Sequence, residues 1–285
     1  IGKEKGTYVR ASELIRDEFV RNYEKFGISR YWITDDTFND DNDRLEELRD
    51  IVQSLPFKIE LIAFIRFDLV VIKDQAQLLK DCGFKMGHAG FETTNPESAK
   101  DIGKGMPPLK QMDYLRELKK DVWKDIYIHS GFMMGLPSDT KKSIRDMLNF
   151  LRSNDNPLDS YFVFPLNISL PDPHASAPPS NFAKNPEEYG YEWIPFENKQ
   201  TEEYMKDGNF ANYKNKHGIT YEDMWNYRSK FLVNNLGHPN EYKRKLMSQF
   251  QCFGLIGSDL TPEELLQQVK DDEFTSADCE RLDKQ

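Results

Sequence analysis

The chain has 285 residues and a net charge of −10, long enough to bury roughly three quarters of its unfolded surface in a real core. No stretch approaches the roughly 20 apolar residues that cross a bilayer, and the amino end shows no basic, apolar, small-residue leader, so a soluble, cytoplasmic protein without membrane contact is expected. Nine acidic residues against three basic ones between Ser258 and Gln285 place −6 of the charge in the tail; the nearly balanced body has no footprint for duplex nucleic acid.

The chain opens on Ile1 and runs into Gly2-Lys3-Glu4-Lys5-Gly6, which reads as a fragment whose natural start is missing. Ser12 is a candidate cap for a helix over about 13–25, with Leu14, Ile15, Phe19, Val20 and Tyr23 at helical spacing and Gly27 as its stop. A strand follows over 30–34. Asp40-Asp41 then cap a helix through Leu45, Leu48, Ile51 and Val52 that ends before Pro56, and 57–65 reads as the next strand. A helix over 71–82 stops at Gly83, and a strand over 84–91 carries Gly87 and Gly90.

Asn95-Pro96 turns into a short helix, and Pro107-Pro108 opens a longer one. A strand over 126–133 precedes a helix begun by Ser138, and the last strand covers 161–168. Strands alternating with helices of about 12 residues predict parallel βα units. The expected fold class is α/β: a partial (β/α)6 TIM-like barrel missing its first strand over 1–168, then an irregular and α-rich C-terminal extension over 169–285. Prolines 171, 173, 178 and 179 punctuate the start of that extension. Thr220 with Asp223 predicts a helix over 221–235, and Thr261-Pro262-Glu263-Glu264 predicts another; the acidic end reads as a solvated helix and frayed tail. Aromatic residues from Tyr189 to Tyr227 serve either as packing of the extension or as a substrate lid. Cys82, Cys252 and Cys279 lie far apart, without metal-ligand spacing.

Strand alternation sorts the side chains into two faces. Thr34 and Asp36 share one, as do Glu60, Ile62, Phe64 and Arg66. So do His88, Gly90 and Glu92, and likewise His129, Gly131 and Met133. If these faces are inward, two carboxylates, an arginine, two imidazoles and two glycines meet at the strand ends, where β/α barrels hold ligands. Arg66 is then a candidate partner for a ligand carboxylate. A salt-bridge network of Arg66, Asp36 and Glu92, hydrogen-bonded core histidines, and glycines set by bulges or tight packing are the structural alternatives.

Several of these segments resemble the radical S-adenosylmethionine (SAM) enzymes, in the methylthiotransferase-like and cobalamin-associated branch. Ile33-Thr34-Asp35-Asp36-Thr37-Phe38 stands where other members have Gly-Gly-Glu. Gly90-Phe91-Glu92-Thr93 with Asn95, Ser98 and Gly103-Lys104-Gly105 resembles the fourth-strand stretch. Gly131-Phe132-Met133-Met134-Gly135-Leu136-Pro137 resembles the Gly-x-Ile-x-Gly motif, with Met133 in the isoleucine place. Together these cover about 8–166 in the family's order. The Cys-x-x-x-Cys-x-x-Cys loop of the family is not in the sequence, whereas Tyr8-Val9-Arg10-Ala11-Ser12-Glu13 resembles the segment that follows it.

The resemblance implies a 4Fe-4S cluster whose ligands are expected upstream of Ile1, SAM cleaved there to a 5′-deoxyadenosyl radical, an electron donor as partner, and an unidentified substrate. It places Thr34, Asp35 and Asp36 near the methionyl ammonium of SAM and Glu92 near its ribose or polar end. Met133, with the backbone around Gly131 and Asn167, would lie against adenine. His129 is a candidate substrate contact or proton donor. No metal ligand is expected within the 285 residues, which alone would neither assemble the cluster nor turn over. The alternatives are a non-catalytic barrel that lost the cluster and serves as a binding or scaffold module, and a hydrolase using Asp36 and Glu92 as an acid/base pair.

Overall fold

The structure, a computed structural model, describes residues 10–172, 180–196 and 199–234. The helix expected at Thr261, the acidic tail, Cys252, Cys279 and prolines 173, 178 and 179 lie outside the described residues. Five strands, β1 (Arg30–Ile33), β2 (Glu60–Ile65), β3 (Phe84–Ala89), β4 (Tyr127–Met134) and β5 (Ser160–Pro165), belong to one sheet in that order. Strand-helix alternation with each strand beside its predecessor is the singly wound order of β/α barrels, and the α/β class expected from the sequence is the one observed. The chain divides into two compact units: one runs to Gly90 and includes Tyr114–Ile128, and the other holds Phe91–Asp113 and the residues from His129 on.

In the first unit, helix α1 (Ser12–Phe26) ends at Gly27, whose left-handed φ of 68° lets its amide reach the Tyr23 carbonyl at 2.8 Å. Its start differs from the expectation. Ala11 is the N-cap and makes no side-chain bond, because the Ser12 hydroxyl donates to Glu47 at 2.7 Å instead. Helix α2 (Asn42–Ser54) is capped as expected, Asp41 accepting from the Asp43 amide at 3.0 Å.

The helix expected over 71–82 is two helices, α3 (Phe67–Ile72) and α4 (Ala76–Asp81). The break is held by two fully buried amides. Asn39 Nδ2 donates to Gln75 Oε1 at 2.8 Å, while Gln75 Nε2 donates to the Asn39 carbonyl at 3.0 Å and to Asn42 Oδ1 at 2.6 Å. Asp74 turns the chain with φ 50°. Periodicity cannot register such a break, since Val71, Leu78 and Leu79 keep helical spacing across it.

β1 and β2 pair in parallel, and a register shift at Leu61/Ile62 sets Ile62 beside Met86 and Phe64 beside His88. One face of this part of the sheet therefore carries Trp32, Phe64 and His88, with ring centroids 6.0 Å and 5.3 Å apart in sequence. On the other side Trp123 is fully buried against Phe67 and Phe84, its indole N–H donating to the Ala76 carbonyl at 2.9 Å. That bond anchors α4 against the core.

In the second unit, Asn95 caps α5 (Pro96–Asp101), and α6 (Pro108–Leu118) crosses from this unit into the first. Helix α7 (Lys141–Arg152) begins later than expected. Thr140 and Ser143 form a reciprocal capping box, whereas the Ser138 hydroxyl accepts from Lys216 at 2.9 Å and its amide donates to Asp101 at 2.8 Å. α7 buries Ile144, Met147, Leu148 and Leu151, the stripe its spacing predicts. The extension holds α8 (Asn181–Lys184), a two-stranded antiparallel ribbon of β6 (Glu192–Trp193) and β7 (Tyr213–Lys214), α9 (Lys199–Asp207) and α10 (Tyr221–Asn234). Thr220 and Asp223 cap α10 reciprocally, each at 3.1 Å, as expected. Arg228 of α10 lies over the Phe164 ring at 4.5 Å and donates to the Val163 carbonyl at 2.9 Å.

Replacing Gln75 by Ala strands the buried Asn39 amide and carbonyl. The expected cost is about 1–3 kcal/mol, read as a lower urea midpoint with an unchanged slope.

Candidate functional site

The first unit carries Thr34, Asp35, Asp36 and Arg66. The loop after β1 is tied to the end of β2: the Phe38 amide donates to the Phe64 carbonyl at 2.9 Å, and Asn39 both accepts from the Arg66 amide (2.9 Å) and donates to its carbonyl (3.0 Å). These bonds fix the loop just past Thr34-Asp35-Asp36, which is exposed at all three residues, to the end of β2 at Arg66. A cavity of about 370 Å³ opens at this end of β1, with Thr34, Asp35, Arg10 and Arg44 on its polar side and Ile33 and Phe38 among its apolar walls.

Arg66 already holds a carboxylate. Its Nε and Nη2 meet Asp68 at 3.1 Å and 2.6 Å, a fork on a side chain that is itself 3% exposed. That pair raises the guanidinium pKa further, so the charge is permanent. The arginine is 42% exposed, which leaves the edge away from Asp68 as the one a ligand would meet.

The second unit carries Glu92, His129, Gly131, Met133 and Asn167. Glu92 extends the strand pairing past the end of β3: its amide donates to the Gly131 carbonyl at 3.2 Å, and its carbonyl accepts from Met133 at 2.8 Å. Three of the expected residues are thus brought together by backbone alone. Glu92 does this at φ 67°, a conformation that costs a non-glycine residue of order 1 kcal/mol. Its half-buried carboxylate accepts no hydrogen bond from the described residues. Burial raises its pKa, and Lys104 offsets part of the rise.

His129 and Gly131 take their structural readings. His129 is 1% exposed, with Nδ1 2.7 Å from Ser160 Oγ and its ring stacked on Phe162. A side chain so enclosed is a hydrogen-bonded core histidine in this structure. A Cβ at Gly131 would fall 2.6 Å from the Phe162 ring, so this glycine makes room for an aromatic ring. Met133, half-buried, pairs with Phe164, and Asn167 stands exposed beyond β5.

Unexpected residues fix the loops that carry these groups. Asp139, 2% exposed, accepts from the Gly135 and Leu136 amides at 3.0 and 3.1 Å, from Ser98 at 2.6 Å and from Asn95 at 3.4 Å. Asn95 and Ser98 of the motif therefore serve the loop after β4. Burial still holds the Asp139 pKa above the usual carboxylate range. The extension grips the same rim: Tyr191 donates to the Gly135 carbonyl (2.8 Å), Tyr213 to the Leu166 carbonyl (2.7 Å), Tyr221 to Asn167 Oδ1 (2.8 Å), and Asn215 to the Leu136 and Asp139 carbonyls at 3.2 and 2.9 Å. Burial pushes the Tyr191 and Tyr213 hydroxyls well above their ordinary pKa, which keeps them donors. These tyrosines thus tie the extension to the loops after β4 and β5. The turn-rich run Gly135-Leu136-Pro137-Ser138-Asp139 was the one local signal for Asp139.

Cys82 is fully buried and its thiol donates to the Leu45 carbonyl at 3.1 Å; burial pushes its pKa up to about 12. No group of three or more His, Cys, Asp or Glu among the described residues is placed to hold a metal ion.

A family model described as the radical SAM superfamily matches residues 2–151, more than half the chain. The chain belongs to the radical SAM superfamily. A curated relative within reach of this radical SAM chain, an uncharacterized methyltransferase, PH0819, of Pyrococcus horikoshii, is 24% identical over 142 residues, covering 50% of the chain and 30% of that protein. Among solved structures, the cobalamin-dependent S-adenosylmethionine radical enzyme OxsB is 18% identical, with a TM-score of 0.42 over 50% of this chain and 22% of that one. Elp3 of Methanocaldococcus infernus is 14% identical, with a TM-score of 0.43 over 77% and 49%. The chain thus spans less than a third of the length of PH0819 and of OxsB. No helix among the described residues is long and apolar enough to cross a membrane.

Because the folded Glu92 pKa lies above its unfolded value, the stability it contributes is present below about pH 4 and is lost as the pH rises through the folded value. Glu92→Gln should therefore be more stable than wild type at neutral pH, with a gap in urea midpoint that closes toward about pH 4.

Proposed function

We propose that the protein is a radical SAM enzyme and that Thr34, Asp35, Asp36, Arg66, Glu92, Met133, Asn167 and the backbone at Gly131 serve its SAM site. The observation that carries this reading is Glu92. A carboxylate held at φ 67°, half-buried and without a hydrogen-bond donor among the described residues, is a costly arrangement that a ligand hydroxyl would relieve. The ribose of SAM supplies such hydroxyls. Superfamily membership supplies the cofactor class.

On this reading the exposed carboxylates of Asp35 and Asp36 accept from the methionyl ammonium, assisted by Thr34. The outer edge of Arg66 meets the methionyl carboxylate while Asp68 fixes its plane. Met133 gives a polarizable apolar surface to the adenine ring. Asp139 and Ser98 hold the Gly135 loop and so keep Met133 in place. When bound, a 4Fe-4S cluster supplies the electron that splits SAM into methionine and a 5′-deoxyadenosyl radical.

The residues present fit SAM better than they fit the cluster. Cluster iron needs thiolates, and Cys82 stays a buried thiol. The ligands belong, on this reading, to a Cys-x-x-x-Cys-x-x-Cys loop outside residues 1–285, where that spacing does not occur. The substrate, and whether a methyl group is transferred as the name of the Pyrococcus relative suggests, is left to the rest of the protein.

Two measurements test the reading. The natural protein, reconstituted anaerobically with iron and sulfide and given dithionite, should convert SAM to 5′-deoxyadenosine and methionine in equal amounts. A cluster-loaded protein that leaves SAM intact would favour the binding or scaffold module. Cys82→Ala should leave the iron content of the reconstituted protein unchanged, and loss of iron in a folded variant would return Cys82 to the ligand set.

A further inference from the structure

The amide of Asn167 has two ends of opposite character, and an adenine ring tells them apart. Its ring nitrogens N1, N3 and N7 accept hydrogen bonds, so only the NH2 end of an amide can serve them, and an unrestrained side chain offers either end. Here one end is taken. Tyr221 donates its hydroxyl to Asn167 Oδ1 at 2.8 Å, which leaves Nδ2 as the end that this bond does not occupy.

Several features make this contact a fixed one. Tyr221 is fully buried and sits at the first turn of α10, where the Thr220–Asp223 capping pair sets the helix start. Its ring packs edge-on against Tyr213 and Trp225, with centroids 6.2 Å and 6.3 Å away. Tyr213 in turn holds the neighbouring Leu166 carbonyl at 2.7 Å, while the Leu166 amide donates to Met134 at 2.8 Å. The backbone before Asn167 and the side chain of Asn167 are therefore both held from the extension. Asn167 itself is exposed. An exposed amide whose acceptor end is pinned by a buried tyrosine is a presented donor.

We propose that Tyr221 is a positioning residue for the adenine end of the SAM site, holding Asn167 so that its Nδ2 donates to a ring nitrogen of the base. The extension thereby helps select a purine with a free ring acceptor at that place. The inference rests on the SAM-site reading above and adds to it the role of α10.

The test is a double-variant cycle on SAM affinity, measured by equilibrium dialysis of the natural, cluster-loaded protein, with 5′-deoxyadenosine as a second probe that reports the adenine end without the methionyl group. Tyr221→Phe and Asn167→Ala should each weaken both probes by about tenfold, and the double variant should bind no worse than Asn167→Ala alone. Losses that multiply to about a hundredfold, or a folded Tyr221→Phe protein with wild-type affinity, would overturn the proposal. Asn167→Asp guards against misfolding: it keeps the acceptor for Tyr221 but has no donor, so it should retain the wild-type melting temperature and lose affinity for both probes. Unchanged affinity there also overturns the proposal. A wild-type protein that binds no SAM would instead sink the underlying reading, and the inference with it.

Discussion

A parallel strand that leaves its sheet carries peptide groups with no neighbour to pair with, and at the carboxyl ends of the strands those groups lie where a ligand must be received. Among the described residues, buried side chains take up this demand at several strand ends. Asn39 serves both backbone groups of Arg66, Asp139 serves the amides of Gly135 and Leu136, and Tyr191 and Tyr213 serve the carbonyls of Gly135 and Leu166. Each is a polar group withdrawn from water that hydrogen-bonds backbone, and Asn39 and Asp139 hold further side chains as well. The loops between are thereby held without becoming part of a regular element, and the candidate ligand-binding groups inherit that rigidity.

The division of labour is clear within each unit. Residues that satisfy the rim are buried; those proposed to meet a ligand keep an exposed edge or end. Asp68 is hidden beneath Arg66 while the arginine reaches solvent, and Tyr221 is hidden beneath Asn167 while the amide reaches solvent. Glu92 is the exception, half-buried, strained and without a hydrogen-bond donor among the described residues. A side chain of the second kind can be told from one of the first only when its partners are known.

That limit explains what could be read from the sequence. Strand-helix alternation and capping chemistry carry their own signal over a few residues, so the five strands, the Asp41 cap and the Thr220–Asp223 box were all legible. The single helix expected across Lys73–Gln75 failed because its break depends on Asn39, more than 30 positions away. Ser12 and Ser138 are plausible caps in isolation, but Glu47 hydrogen-bonds the hydroxyl of one and Asp101 the amide of the other. His129 and Gly131 share their strand face with Met133 as alternation requires. Facing direction alone could not say that Ser160 and Phe162 would occupy the space before them. The grip of the tyrosines on the rim joins residues 47 to 56 positions apart, beyond any local pattern.

Gly135 has the further property that its φ is 98° and that a Cβ there would fall 2.2 Å from the Met224 sulfur and 2.8 Å from the Tyr213 hydroxyl. Loop and extension are consequently packed so closely here that an added carbon would displace the Met224 side chain and the Tyr213 hydroxyl, while the φ itself strains any residue but glycine. Recombination that grafted a different C-terminal module onto these strands would inherit a mismatch at this contact. The segment after β4 and the segment carrying β7 and α10 therefore share one steric constraint, and exchanging either alone disturbs the other.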